Sequence, residues 1–256
     1  LKIRVDSQPL PPVETVDMRR ELERGNRSMF SNALYSALEQ TLSRGEQAIL
    51  LINRRGYAQF VSCRSCGHVI KCANCDVSLT YHAKGQALVC HYCGYREEYP
   101  KTCPECGSKY IKQFGLGTQK VEEELGRLFP SARLLRMDMD TTGRKGAHHR
   151  MLNAFERREY DILLGTQMVA KGLDFPNVTL VGVLAADASL NLPDYRSCEK
   201  TFQLITQVAG RAGRGLKPGR VVVQSYQPGH YSIQYASKHD YTGFYDKEID
   251  IRSKFS

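Results

Sequence analysis

Eight cysteines fall into four C-x-x-C pairs, Cys63/Cys66, Cys72/Cys75, Cys90/Cys93 and Cys103/Cys106, within a stretch of 44 residues. A C-x-x-C turn points two thiolates at one ion and two such turns complete a tetrahedron, so the chemistry these residues suit is zinc binding at two sites. The pairs are separated by 5, 14 and 9 residues, and the 14-residue interval contains Thr80-Tyr81 and Leu88-Val89, enough for a hairpin. That favours a nested scheme, with Cys72/Cys75 and Cys90/Cys93 inside and Cys63/Cys66 and Cys103/Cys106 closing the base. Sequential pairing into two small modules stays open as the alternative. An all-thiolate shell leaves no open coordination position, so both ions are read as structural, holding a module too small to build a core without them. Four pairs so close together set aside the redox reading of a single C-x-x-C. His68, His82 and His91 are read as neighbours of the sites rather than ligands, and the isolated Cys198 as a small core residue.

Three further segments carry groups suited to phosphate. Gln207-Val-Ala-Gly-Arg-Ala-Gly-Arg214 closes a helical stretch. Arg211 and Arg214 share one face if that helix continues, and each guanidinium offers a planar fork of donors for phosphate oxygens. Gly210 and Gly213 put no side chain in the way of a close approach. Gly165-Thr-Gln-Met-Val-Ala-Lys-Gly-Leu-Asp174-Phe-Pro176 follows an apolar strand at its carboxyl end and supplies glycines, a hydroxyl and a carboxylate. Gly115-Leu-Gly-Thr118 opens a helix, with Thr118 as candidate N-cap and backbone N–H groups able to receive a phosphate. Asp138 and Asp140, before Thr141, are read as a turn after a strand rather than as Mg²⁺ ligands. Each segment taken alone also has a plain structural reading, as a basic helix end, a polar loop or a capped helix start.

These groups must be positioned by a fold, and the chain alternates strand and helix to do it. Phe30, Leu34, Leu38 and Leu42 make one stripe on a helix over residues 28–44, which Gly45 ends. Ala48–Ile52 is apolar on both faces, as in a parallel strand buried between helix layers. Further strands are expected near 132–137, 161–164, 178–185 and 220–226, and helices near 118–129, 146–159 and 199–209, before a polar helical tail. Repeated strand–helix units require an α/β fold, a parallel sheet with right-handed crossovers and helices on both faces. The five strands suit one mononucleotide-binding lobe. The cysteine block then inserts after the first of them, at its carboxyl end, where open α/β sheets bind ligands. Residues 1–27, opened by Pro9-Leu-Pro-Pro12, read as a linker. The expected division is 1–58 for linker and first part of the lobe, 59–111 for the zinc insertion, and 112–256 for the remainder and tail.

Composition narrows the class. With 41% hydrophobic residues in 256, the chain is expected to fold rather than stay disordered. No apolar run approaches the ~18 residues of a membrane span, and no secretory signal opens the chain, so the reading is a soluble intracellular protein. The formal charge of +9 falls to +5 once eight thiolates and two Zn²⁺ are counted, an excess that weakly favours nucleic acid as partner. Because the chain starts at Leu1 and stops at Ser256 in charged sequence, it reads as a piece of something longer.

Taken together, these segments resemble the second RecA-like lobe of superfamily 2 helicases, and within them the primosomal replication-restart helicases of the PriA type. The resemblance covers nearly the whole chain, through Asn53-Arg-Arg-Gly-Tyr57, the eight-cysteine insertion, Gly117-Thr118 with Glu122-Glu-Glu124, Asp138 to Thr142, Gly165 to Pro176, Ala186-Asp187, Leu192-Pro-Asp194 and Gln203 to Arg214. It implies a RecA-like parallel-sheet lobe with a small double-zinc, ribbon-like insertion, and the nested zinc pairing. It implies that Gly165 to Asp174 is motif V and Gln207 to Arg214 motif VI of an ATP-dependent 3′-5′ DNA helicase acting at stalled or branched forks. Arg214 is then the arginine finger and Arg211 its neighbour; Gly172, Asp174 and Gln207 face the nucleotide, and Thr166, Gln167 and Thr118 the DNA. Arg54 and Arg55, where a strand hands over to the insertion, are expected to touch the DNA backbone as well. The finger, with Arg64, Lys71, Lys84, Tyr81, Tyr92, Tyr95 and Arg96, is expected to bind single strands or split the duplex.

The implied cofactors are two structural Zn²⁺ and, in the intact enzyme, ATP with Mg²⁺. Partners are single-stranded and branched DNA, primosome proteins and single-stranded-DNA-binding protein, with no membrane, for a monomer in the bacterial cytoplasm and nucleoid. No G-x-x-x-x-G-K-[ST] loop or D-E-x-H run occurs in the chain, so the expectation is half an engine, inactive alone. A non-enzymatic zinc-ribbon nucleic-acid binder and another superfamily 2 lobe are the rival readings. The motor reading requires the guanidinium pair to project from the sheet's loop edge across an interlobe gap; it falls if the pair faces bulk solvent on the side remote from that edge.

Overall fold

The computed structural model describes residues 9–52, 60–82, 85–113, 117–142, 146–166, 175–192, 194–215 and 217–254. Its centre is a six-stranded sheet in which every pairing is parallel. The strands are β1 (Val13–Asp17), β2 (Gln47–Ile52), β8 (Leu134–Met137), β9 (Ile162–Gly165), β10 (Val178–Leu184) and β11 (Arg220–Ser225), in the spatial order β1-β11-β10-β2-β9-β8.

Period-two alternation sends each strand's side chains to two cores. Along β2, Ala48, Leu50 and Ile52 meet α2 (Asn32–Ser43) and α3 (Thr118–Leu128) through Leu34, Leu38, Val121 and Leu125. Ile49 and Leu51 face the other way, toward α5 (Ala147–Glu156), α6 (Ser197–Ala209), α7 (Tyr231–Ser237) and α8 (Tyr241–Ser253), through Phe155, Ile205, Ile233 and Phe244. Each of β2, β9 and β10 is buried along its whole length, as helices on both faces demand. The contact between α2 and the sheet is close at Gly182: a methyl there would lie 2.5 Å from a Leu50 methyl and 2.9 Å from one of Leu34.

Residues 1–27 are not simply a linker. Val13–Asp17 adds a sixth strand beside β11, and Asp17 caps α1 (Met18–Glu23) by accepting from the Arg19 amide at 3.0 Å. The Pro-rich opening hid this strand, whose edge position requires only one partner and so only weak alternation.

Between β2 and α3 the chain leaves the sheet to build the zinc module, with its own small core. Its base is an antiparallel pair, β3 (Val61–Cys63) with β7 (Ile111–Gln113), and its tip a three-stranded antiparallel sheet of β4 (Thr80–His82), β5 (Ala87–Val89) and β6 (Arg96–Glu98). The short helix α4 (Met139–Thr142) and a 3-10 turn (Ala186–Ser189) complete the elements among the described residues. None of the described helices is long and apolar enough to cross a membrane.

Candidate metal centres and the two edges of the sheet

The eight cysteines gather into two groups of four, Cys63, Cys66, Cys103 and Cys106 at the base and Cys72, Cys75, Cys90 and Cys93 toward the tip, which is the nested arrangement. Within each group the sulfur atoms lie within 4.8 Å of one another, and pairs stand at 3.7 Å (Cys63–Cys106 and Cys66–Cys103) and 3.5 Å (Cys72–Cys93). Tetrahedral zinc at ~2.3 Å from each sulfur sets an edge of about 3.8 Å, whereas a disulfide needs about 2.05 Å, so the donor set fits zinc. The two clusters hold two structural Zn²⁺.

The four turns share one backbone design. In each, the residue after the second cysteine donates its amide to the carbonyl of the first: Gly67 to Cys63, Asp76 to Cys72, Gly94 to Cys90 and Gly107 to Cys103, at 2.9–3.0 Å. All four of these residues have positive φ, from +52° at Asp76 to +81° at Gly67. Three glycines and an aspartate, types that tolerate this conformation, were therefore a sequence signal of the turn that the cysteine spacing alone did not use. The histidines remain outside both clusters; His82 and His91 face each other at 3.0 Å between Nε2 atoms. On the finger, Lys71 is paired with Asp76 at 3.1 Å, Tyr81 packs edge-on against Tyr99, and Tyr92 is exposed. Lys84 lies outside the described residues.

Gly67 and Arg64 dock the base of the module on the carboxyl edge of the sheet. A Cβ on Gly67 would stand 2.8 Å from the Tyr226 carbonyl, just beyond β11. Arg64 donates from Nε to the Tyr226 hydroxyl at 3.1 Å and from its two terminal nitrogens to the carbonyls of Arg27 (3.3 Å) and Ser28 (3.1 Å).

The same edge carries the residues expected at DNA, so far as they are described. Thr166 follows β9 and is half-buried. Thr118 starts α3, but the cap is Gly117, with no side-chain cap bond. The Thr118 hydroxyl is buried and donates to Asp138 Oδ2 at 2.6 Å, a charge-assisted bond to the carboxylate after β8. Asp138 also accepts from the Thr141 amide at 3.0 Å and lies 3.1 Å from Arg136 Nε. Burial works to raise its pKa, but these partners together hold it below the usual carboxylate range. It is thus a turn-forming, helix-anchoring group. Arg54, Arg55, Gln167, Gly172 and Asp174 lie outside the described residues, as do Gly115, Leu116 and Pro193.

Arg211 and Arg214 sit on the opposite, amino edge, where Gly213 donates its amide to the carbonyl of Val178 at the start of β10 at 2.9 Å. This overturns the expectation that the pair lies on the carboxyl edge. Pro176, just before β10, lies at the same amino edge beside Gly215. The two arginines are also not on a continued helix face. The helix α6 stops at Ala209, and residues 210–213 form a turn ended by Gly213 at φ +65°. The glycine at 213 makes room for backbone, that of Gly219, rather than for a ligand. Arg214 is exposed and donates from Nε to the Gly210 carbonyl at 2.8 Å; Arg211 is half-buried, and Gln207 is exposed on the last turn of α6.

Residues 72–97 match the PriA DNA helicase Cys-rich region (CRR) domain, and residues 113–215 the helicase conserved C-terminal domain. The replication restart protein PriA of Bacillus subtilis (strain 168) is 60% identical over 256 residues, 100% of this chain and 32% of that protein. The chain belongs to the PriA family. The Synechocystis sp. replication restart protein PriA is 57% identical over 253 residues, 97% of this chain and 30% of that protein. The chain thus spans about a third of the length of the PriA relatives it matches. A solved structure of RecG bound to a three-way DNA junction is 15% identical and superposes with a TM-score of 0.48, over 95% of this chain and 22% of that one. The parallel sheet is a RecA-like lobe of the helicase C-terminal type, and neither a bare zinc ribbon on an idle scaffold nor a different superfamily 2 lobe is favoured for this PriA segment.

Proposed function

We propose that this chain is the second motor lobe of an ATP-dependent 3′-5′ DNA helicase that acts at stalled or branched replication forks, restarts replication and loads the primosome. The observation that carries the reading is the match of residues 113–215 to the helicase conserved C-terminal domain together with the PriA Cys-rich region at 72–97. The arginine turn packs on the amino end of β10, where the placement required from the sequence is not met, and Thr166 stands at the carboxyl end of β9.

In this reading ATP and its Mg²⁺ sit between this lobe and a partner RecA-like lobe that holds the phosphates. Arg214 gives up the Gly210 carbonyl and, with Arg211 beside it, meets the charge spread over the transferred phosphoryl group. Gln207, on the last turn of α6, faces the nucleotide from the same edge, and Gly172 and Asp174 are further nucleotide-binding residues. Thr166, Gln167, Arg54, Arg55 and the amide of Thr118 face the DNA, so closure on ATP and release after hydrolysis advance a single strand. The division into residues 1–58, 59–111 and 112–256 separates lobe, zinc insertion and lobe again, although β7 runs on to Gln113. The protein acts as a monomer in the bacterial cytoplasm, at the nucleoid, with primosome proteins and single-stranded-DNA-binding protein as partners.

The test is ATP turnover by the whole protein in the presence of branched DNA. Arg214→Ala lowers it by roughly 10³-fold or more, and Arg214→Lys does not restore it, because the ammonium lacks the planar fork. Full turnover by Arg214→Ala, or turnover by the purified 256-residue chain alone, would overturn the reading.

A further inference from the structure

Backbone contacts hold the arginine turn in shape. Its Gly213 amide reaches the Val178 carbonyl at 2.9 Å. Residues 217–219 lie so close against it that a Cβ on Gly213 would overlap the backbone of Gly219, and one on Gly219 the backbone of Ala212 and Gly213. Such contacts fix the turn only while residues 217–219 stay where they are. Lys217 links them to the sheet: its ammonium meets Glu46 Oε1 at 3.0 Å, and the other oxygen of the same carboxylate accepts from the Thr179 hydroxyl at 2.7 Å.

The fold brings each partner there. Glu46 is buried between α2 and β2, its amide bonded to the Thr41 carbonyl at 3.1 Å. Thr179 is the extra residue of a bulge: Val178 pairs with Gln47 and Leu180 with Ala48, so β10 advances two residues where β2 advances one. A bulge re-aims a side chain, and such irregularities gather beside sites of chemistry. This one adjoins the carbonyl that receives Gly213. Burial works to raise the pKa of Glu46, but Thr179 and Lys217 hold it below the ordinary carboxylate range, so it meets Lys217 as a charge at neutral pH. Lys217 is about half exposed, and a pair open to water on one side adds little to overall stability. What it does supply is a fixed position.

We propose that Glu46 is a positioning residue for Arg214: by tying Lys217 to Thr179 it makes residues 217–219 and the bulge one support, which sets where the guanidinium stands when the phosphoryl group is transferred. The inference rests on the helicase reading above and deepens it, adding to the motor a carboxylate that touches neither nucleotide nor DNA.

The experiment is a kinetic double-mutant cycle on the whole protein, with kcat and KM for ATP measured separately in the presence of branched DNA. Glu46→Gln keeps the shape and an acceptor for Thr179 but loses the charge that holds Lys217. It lowers kcat about tenfold and leaves KM within about twofold. Lys217→Ala breaks the same link from its half-exposed side and has the same effect, and combining the two adds nothing further. In the Arg214→Ala background Glu46→Gln costs nothing more, because the support has nothing left to position; a residue that only stabilised the fold would lower the residual rate as well. Lys254→Ala, which breaks the exposed pair with Asp250 at the end of α8, leaves turnover unchanged. Wild-type kcat in Glu46→Gln and Lys217→Ala while Arg214→Ala is impaired overturns the inference and leaves the helicase reading standing. An equal loss with and without Arg214, or a rise in KM at unchanged kcat, does the same. Full turnover by Arg214→Ala overturns both.

Discussion

Asp187 is a charge in the wrong solvent. It sits just past the carboxyl end of β10, 3% exposed, with one carboxylate oxygen 3.2 Å from the Tyr226 amide. Burial pushes its pKa up to about 6, more than the amides of Asp187 and Tyr226, the Ser225 hydroxyl and the charge of Arg19 pull it down. The unfolded chain gives up this proton near the ordinary carboxylate value and the folded chain only near 6, so in that interval the folded state binds the extra proton. Stability contributed below the lower value is therefore lost as pH rises through the upper one. Asp187→Asn carries no charge at any pH. Relative to wild type it should gain stability at about pH 8 compared with about pH 5, measured by urea denaturation with zinc saturating; a pH-independent difference would show that the carboxylate titrates normally. No sequence pattern reveals such a shift, because it depends on what surrounds the residue rather than on its neighbours in the chain. The zinc ligands are the opposite case: two residues between cysteines fix the geometry of a turn, so their role is written in the spacing.

At the scale of elements, the zinc module is expected to depend on metal and the sheet is not. Its small core is separate from the two that sandwich the sheet, and its strands are only three residues long. Strong chelation should release two zinc equivalents and bring residues 61–113 to rapid hydrogen exchange while β2, β9 and β10 stay protected. Loss of protection in the sheet at the same chelator concentration would mean that the modules unfold as one. Docking of the module on the lobe rests on Gly67, which combines φ +81° with the close Tyr226 carbonyl. Gly67→Ala should cost about 1–2 kcal/mol from the left-handed backbone alone, read as a lower midpoint of zinc loss in a chelator titration, whereas Asp76→Gly, at the corresponding place in the second turn, should raise that midpoint slightly. The turn containing Arg211 and Arg214 was legible as an arginine motif but not in shape. A helix that continues and one that stops at Ala209 have the same residues up to that point, and what ends it is a tertiary contact to β10.

For the whole molecule, the parallel sheet was legible because strands buried on both faces leave unbroken apolar runs such as Ala48–Ile52 and Val178–Leu184. The edge strand β1 was not, since an edge needs half as much from its sequence. Nor was the position of the arginine turn on the amino edge, which depends on its tertiary contact to β10. The nested metal sites have a further consequence for how the molecule assembles. The ligands at the base, Cys63 and Cys66 with Cys103 and Cys106, come from the first and last turns of the module, so one ion ties together chain positions up to 43 residues apart. To the sheet, a long excursion between β2 and α3 is thereby shortened to a brief one, which lowers the entropy lost in bringing those elements together by on the order of 1 kcal/mol. The tip ion closes only a hairpin within that excursion and leaves its length unchanged. Cys103→Ser should therefore slow refolding of the lobe severalfold in stopped-flow experiments while Cys90→Ser leaves the rate nearly intact, giving two chemically identical ions different parts in the same folding reaction.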